Sequence, residues 1–328
     1  MLAIKIKSQK ILLPLLFLML LSGCASLENG LFKMGLGVER SMAGFEKKDI
    51  QLSDHHWTYL EAGEPGQPVV LLLHGFGGDK DNWTRMVQKL DGYHVYAPDL
   101  PGHGDSSFDE KQYYGFDVQS LRLAEFVDAL HLNKFHLVGN SMGGAIAALY
   151  AYRHPEQVTS LALIDAVGFY GDKPSELEEI LARHEKNPLI VQTPQDFDAL
   201  MDFVMSEQPF LPWPARNVLA RKAVAREAAN EHIFEHIHKE AEAAKYAGGF
   251  GFMFKKLSMP VYVIWGENDR VLSVTSVPKF VETIPHVQAD IIPGIGHVPM
   301  LEIPKKTAQM LTAFWQQHES SGAIASHE

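Results

Sequence analysis

The chain has one cysteine, Cys24, in 328 residues, so it contains no internal disulfide. Positive charge is also scarce: 29 lysines and arginines stand against 40 aspartates and glutamates, a formal net charge of −11. A body of that sign repels nucleic acid and anionic lipid headgroups, and no basic stretch interleaved with aromatics offsets it. Bilayer-spanning length is missing from the N-terminus, where the apolar run "ILLPLLFLMLL" covers residues 11–21 and a membrane-crossing helix needs about 20. No block of sequence repeats, and the low-complexity piece is the polar C-terminus, a flexible tail at 319–328. What remains, with 46% apolar residues, is enough to bury the core of one large globular domain.

The N-terminal run follows "MLAIKIKSQK", which carries Lys5, Lys7 and Lys10. A basic start and a short apolar stretch make an export signal, placed at 1–23. It ends in "LSGC", which resembles the bacterial lipobox, where a signal peptidase cuts before a cysteine that has received a diacylglyceryl group. Cys24 is then the lipidation site, and the mature chain is left with no free thiol. An uncleaved N-terminal anchor is the competing reading, and either one holds the protein at a membrane. Loss of the three signal lysines leaves 26 basic residues against 40 acidic, a net charge of −14, so attachment falls to the lipid. Ala25 in place of an aspartate resembles lipoproteins sorted to the outer membrane of Gram-negative bacteria. Residues 24–48 follow as a tether or amphipathic segment, in which Leu31, Met34, Val38, Met42 and Phe45 recur at spacings of three and four. The glycines there weaken the helix. Such a segment serves as a tether, packs on the body, or lies in a membrane interface.

From Val69 onward, apolar runs of strand length alternate with helix-length segments: "VVLLLH", "HVYAPDL", "FHLVGN", "SLALIDA", "VYVIWGEND" and "QADIIPG". Continuously apolar strands separated by helices predict an α/β fold, with a mostly parallel central sheet covered by helices on both faces. The interval 167–256 breaks the rhythm. It has no convincing strand, and its Glu- and Ala-rich periodic pieces flank "PFLPWPAR", which predicts an inserted helical cap between core segments 49–166 and 257–318.

Between "FHLVG" and "GGAIAALYAY" the sequence "GNSMG" fits G-x-S-x-G, with Gly139, Ser141 and Gly143 in place. A strand turning sharply into a helix exposes the serine hydroxyl beyond the sheet edge, and the helix N-terminus adds positive potential where an oxyanion would develop. A serine nucleophile needs a base and an acid to orient that base. Among sixteen histidines, His297 stands in the glycine- and proline-broken loop "IIPGIGHVPMLEIP" after a strand. For the acid, Asp269 ends "VYVIWGENDRVL". Asp165, closing "SLALIDA", is a rival, with Glu267 and Asn268 behind it. The loop "HGFGGDKDNW" follows an early strand, and the motif assigns the oxyanion-hole donors to the backbone N–H groups of Phe76 and Met142. Read blandly, its glycines only turn the chain.

Together "HGFGGDKDNW", "DLPGHGDS", "VGNSMGG", "WGENDRVL" and "GHVPMLEIP" resemble the α/β-hydrolase fold family over Val69 to Pro304. More narrowly, the first of them is similar to the loop of bacterial lipases and of monoacylglycerol lipases with an N-terminal membrane anchor. The resemblance implies Ser141 as nucleophile, His297 as general base and then acid, Asp269 as its partner, and no cofactor or metal. Asp99, His103 and Ser106 then belong to a structural turn, and His74 supports the oxyanion loop. The expected activity is hydrolysis of acyl or glycerol esters by an exported, membrane-attached serine hydrolase. "GNSMGG" also resembles the meta-cleavage-product hydrolases, which cut carbon–carbon bonds. A binding lipoprotein on a scaffold that has lost its chemistry is the non-enzymatic alternative. His232 and His236, four apart on a helical stretch, are read as a solvated helix face and not as metal ligands. Phe197, Met201, Phe203, Met205 and the run "GGFGFMFKKL" either line an acyl channel or belong to the core.

Overall fold

The computed structural model describes residues 25–246 and 250–324; the signal segment and Cys24 lie outside them. Residues 25–42 form helix α1. An antiparallel hairpin follows, β1 (Glu46–Gln51) and β2 (His56–Ala62), and then β3 (Val69–Leu73), the short helix α2 (Thr84–Val87) and β4 (His94–Pro98). The chain continues through α3 (Phe116–Ala129), β5 (Phe135–Asn140), α4 (Met142–Arg153) and β6 (Val158–Ile164). Five helices come next: α5 (Glu176–Ala182), α6 (Pro194–Val204), α7 (Ala215–Ala225), α8 (Glu227–Tyr246) and α9 (Gly251–Phe254). The fold closes with β7 (Val261–Gly266), α10 (Val277–Thr283), β8 (Val287–Ile292), α11 (Pro299–Glu302) and α12 (Pro304–Ile324).

The eight strands form one sheet in the order β1-β2-β4-β3-β5-β6-β7-β8, antiparallel at the hairpin edge and parallel from β4 to β8. All six strands expected from the sequence are present. The two that it did not disclose are β1 and β2. β1 reads "EKKDIQ" and leaves most of its side chains exposed, as suits a charged edge that resists further pairing.

Alternation along each strand sorts the core into two layers. Leu71, Leu73, Leu137, Leu161 and Val263 face one side, with α3 and α4. Val70, Leu72, Val138, Ile164 and Ile264 face the other, where Trp315 of α12 and Met86 of α2 cover them. Burial on both faces is why these strands read as unbroken apolar runs.

Register then places the chemistry. Leu73 pairs with Gly139, Asn140 with Ile164, Ile164 with Ile264, and Gly266 with Ile292. The carboxyl ends of five strands are therefore level, and the loops that leave them meet along one edge, where ligands bind in open α/β sheets.

Among the described residues, 167–256 contains helices and no strand. No helix there or elsewhere among the described residues is long and apolar enough to cross a membrane. Helix α1 is amphipathic as the spacing implied, but most of its apolar stripe is uncovered: Leu27, Met34, Val38 and Met42 are 55–67% exposed, while Leu31 is half-buried. The opposite face packs. Arg40 makes a two-pronged pair with Asp81 (2.6 Å each), Arg85 bonds Glu39 (2.8 Å), and at the other end Arg221 bonds Glu28 (2.6 Å). Phe45, expected on the same stripe, lies beyond the helix and is buried in the core.

Candidate active site

Ser141 sits where β5 turns into α4, with φ 55° and ψ −119°, a strained conformation that survives because the surroundings dictate it. Its N–H bonds Ile164 O (3.0 Å), and its carbonyl accepts from Gly144 and Val167 (3.0 and 3.2 Å). The turn demands glycine on both sides. A Cβ on Gly139 would stand 2.3 Å from Gly143 O, and one on Gly143 2.4 Å from Leu73 O, closer than nonbonded atoms tolerate. The serine is 7% exposed, and that exposure opens on a cavity of about 930 Å³.

His297 lines the same cavity. Its Nδ1–H donates to Asp269 Oδ2 at 2.8 Å, and Asp269 Oδ1 accepts the N–H groups of Val271 (2.8 Å) and Leu272 (3.0 Å). Those bonds fix the carboxylate and the imidazole tautomer, leaving Nε2 as the free lone pair. Of the rival acids, Asp165 makes no hydrogen bond to the imidazole among the described residues, while Glu267 takes the Gly294 N–H (3.2 Å). No hydrogen bond joins Ser141 Oγ to His297 among the described residues; such contacts commonly tighten only when substrate is bound. A link that the sequence did not reveal runs through Asn140, whose Nδ2 donates to Ile164 O and to His297 O, 3.1 Å each. The residue before the serine thus holds the backbone of the histidine. The backbone N–H of His297 bonds Val204 O of α6 (2.9 Å), so the inserted helices also fix its loop.

The N–H groups of Phe76 and Met142 have no acceptor among the described residues. His74 explains the first. Fully buried, it donates from Nδ1 to Gly75 O (2.8 Å) and accepts the Leu100 N–H on Nε2 (3.0 Å). Gly75 C=O and Phe76 N–H share one trans peptide plane and point in opposite directions. Holding the carbonyl inward therefore turns the N–H outward. Burial drives the imidazole pKa down to about 4, which keeps both of its bonds in the neutral tautomer.

Asp99 and Ser106 of the "DLPGHGDS" turn are held in a local hydrogen-bond network. Asp99 binds the Lys80 N–H (2.7 Å), Lys80 Nζ (2.8 Å) and the Asp105 N–H (2.7 Å), and Ser106 Oγ donates to Asp99 O (2.8 Å). Burial works against the Lys80 charge, but Asp99 and its acidic neighbours outweigh it and raise the ammonium pKa. His232 and His236 are not on a solvated face. His232 Nε2 meets Gln112 O (3.0 Å) and the Tyr114 N–H donates to His236 Nδ1 (3.2 Å), which docks α8 on the loop before α3. Asp165, Asp269 and His297 have ligand-type atoms all within 4.8 Å of one another, but His297 Nδ1 and both Asp269 oxygens are already engaged by hydrogen bonds.

Phe197, Met201 and Met205 line the cavity, with Val204, Leu219 and Leu301. Phe203 instead packs with Leu177 and Val271, and Met253 and Phe254 of α9 belong to the main core. Of the residues expected to line a channel or join the core, Phe197, Met201 and Met205 are on the cavity wall, and Phe203, Met253 and Phe254 are packed away from it. The mouth reaches α1 and the proline-rich loop, through Met34, Val38 and Trp213.

Residues 68–304, which carry Ser141, His297, Asp269, Phe76 and Met142, match the family model of the alpha/beta hydrolase fold. The chain belongs to that family. Lipase 3 of Moraxella sp. (strain TA144) is 36% identical over 311 residues, covering 92% of this chain and 96% of the relative. The monoacylglycerol lipase ABHD6 of Bos taurus is 31% identical over 286 residues, 84% and 83% of the two chains. Among solved structures, a bacterial membrane phospholipase A described as a virulence factor is 40% identical, with a TM-score of 0.86 over 95% of this chain and 99% of that one.

Proposed function

We propose that the protein is a membrane-attached serine ester hydrolase, a lipase or carboxylesterase acting on acyl or glycerol esters. The observation that carries it is the Ser141 elbow opening on an apolar cavity that His297 also lines, with Asp269 behind the imidazole. Ser141 Oγ attacks the ester carbonyl carbon as His297 Nε2 takes its proton. The oxyanion settles on the N–H groups of Phe76 and Met142, a donor of this kind being worth about 3 kcal/mol in the transition state. His297 returns the proton to the departing alcohol. Water, activated by the same imidazole, then frees the acid from the acyl-enzyme. The lipase names of the relatives favour ester cleavage over carbon–carbon cleavage.

Attachment is proposed through the lipobox-like "LSGC" and Cys24. The described chain begins one residue later with α1, whose exposed apolar stripe, together with Phe210 and Trp213, flanks the cavity mouth. A bilayer surface suits that flank, and a hydrophobic ester passes from it into the cavity without crossing water. Labelling by a fluorophosphonate probe and turnover of p-nitrophenyl esters test the core of this reading. Both are expected in the wild type and lost in S141A; folded protein that neither labels nor turns over would refute it.

A further inference from the structure

Asp165 has no part in the reaction just described, yet it is fully buried directly behind it. Its backbone is held at φ 43° by an N–H bond to Ile264 O (2.9 Å), and Oδ1 accepts the Gly266 N–H at 2.8 Å. Oδ2 is buried and receives no donor. Facing it is Asp269, in the cluster where ligand atoms of Asp165, Asp269 and His297 all lie within 4.8 Å of one another.

Two carboxyls that close, out of water, do not both carry charge. Three N–H donors already stabilise the Asp269 carboxylate, from Val271, Leu272 and His297. Asp165 has a single one. The proton therefore belongs to Asp165, and a protonated Oδ2 turns an orphaned acceptor into a donor with Asp269 in front of it. Burial first, and then the charge of Asp269, hold the Asp165 carboxyl well above the usual carboxylate range. Glu302 of α11 presses in the same direction.

The geometry points to Asp165 as a positioning residue that stays uncharged, donates Oδ2–H to Asp269, and keeps the acid–imidazole pair in register with a single negative charge. This rests on the assignment of Ser141, His297 and Asp269 as the reacting set. The single charge has a chemical use. One negative charge balances the imidazolium formed during attack, whereas a second would hold the proton on His297 and slow its delivery to the leaving alcohol. The Asp165 proton itself stays in place throughout.

The test compares kcat and KM for a soluble p-nitrophenyl ester across pH in the wild type, D165N and D165A. D165N keeps a neutral donor and is expected to keep the wild-type acid limb and kcat. D165A removes the donor. Its kcat is expected to fall about tenfold, the factor carried by one hydrogen bond to a charged group, with KM unchanged and the acid limb displaced to higher pH. An acid limb displaced downward in D165N would mean that a charge had been removed, and would overturn the inference. So would D165A indistinguishable from wild type. A second measurement needs no turnover: in the S141A background at pH 8, infrared spectroscopy should show a protonated carboxylic-acid C=O band that D165N removes and D269N displaces. Where D165N fails to fold, the D269N comparison decides, and an unaltered spectrum refutes the inference. Failure of the functional assignment is seen separately, as equal ester turnover by wild type and S141A.

Discussion

His74 touches no part of the proposed reaction path, yet it aims one of the two N–H groups that would hold the oxyanion. Removing it frees the Gly75–Phe76 peptide to rotate. H74A is expected to lower kcat by about 10²-fold with little change in KM, the signature of lost transition-state stabilisation, measurable with a soluble ester. The same ring makes a stability prediction. Its folded pKa of about 4 lies below the unfolded value of about 6.5, so between those limits the unfolded chain binds the extra proton and stability falls as pH falls. One proton contributes a slope of about 1.4 kcal/mol per pH unit. Denaturant unfolding of H74N between pH 6.5 and 4 should show a slope shallower by that amount. At this level the sequence was informative where chemistry forces a local pattern: Ser141 between its glycines, His297 in its broken loop. It left Asp165 and Asp269 as rivals because both close strands on the same edge, and only the 2.8 Å contact with His297 separates them. Nothing local to Asn140 shows that it reaches His297, 157 positions away.

The strand–serine–helix unit has no room to give. G143A places a methyl against the carbonyls of Leu73 and His74, at 2.4 and 2.5 Å. Backbone atoms do not yield cheaply, and a loss of about 3 kcal/mol or more is expected, seen as a lowered unfolding midpoint or as insoluble protein. Helix α1 offers a gentler perturbation. M34E with V38E should leave turnover of a soluble ester near wild type while lowering turnover of the same acyl chain in vesicles or emulsion. Equal loss on both would argue against a lipid-facing stripe. The periodicity of α1 was readable because 3.6-residue spacing survives the glycines, but its direction was not. A stripe of Leu and Met looks the same whether it meets a core or a bilayer, and the ion pairs that turn it outward come from Asp81, Arg85 and Arg221, far along the chain. β1 escaped notice because a charged edge strand exposes too much to carry a hydrophobic signal, whereas β2, "HWTYLEA", is largely buried but breaks its apolar residues with His, Thr and Glu.

Over the whole molecule, the inserted helices and the histidine loop behave as one assembly. Glu302 of α11 accepts N–H groups from Gly296 (3.0 Å) on the histidine loop and from Ser206 (2.8 Å) and Glu207 (2.9 Å) just past α6. The carboxylate is a staple between two segments about ninety residues apart in sequence. E302A should lower kcat and the unfolding temperature together, whereas E302Q, which keeps one carbonyl acceptor, should fall between E302A and wild type. The α/β order and the helical insert were legible because alternation of apolar strands with helices repeats over hundreds of residues. The clasp between them was not, since a glutamate in "MLEIP" carries no mark of what it will hold. A last consequence follows from α1, an 18-residue strut about 27 Å long fastened to the body near both ends. Were Cys24 lipidated as proposed, so short a strut would confine the enzyme to the leaflet that holds it: it would graze the lipids around its own foot, and fatty acid released there would rejoin the sheet it came from.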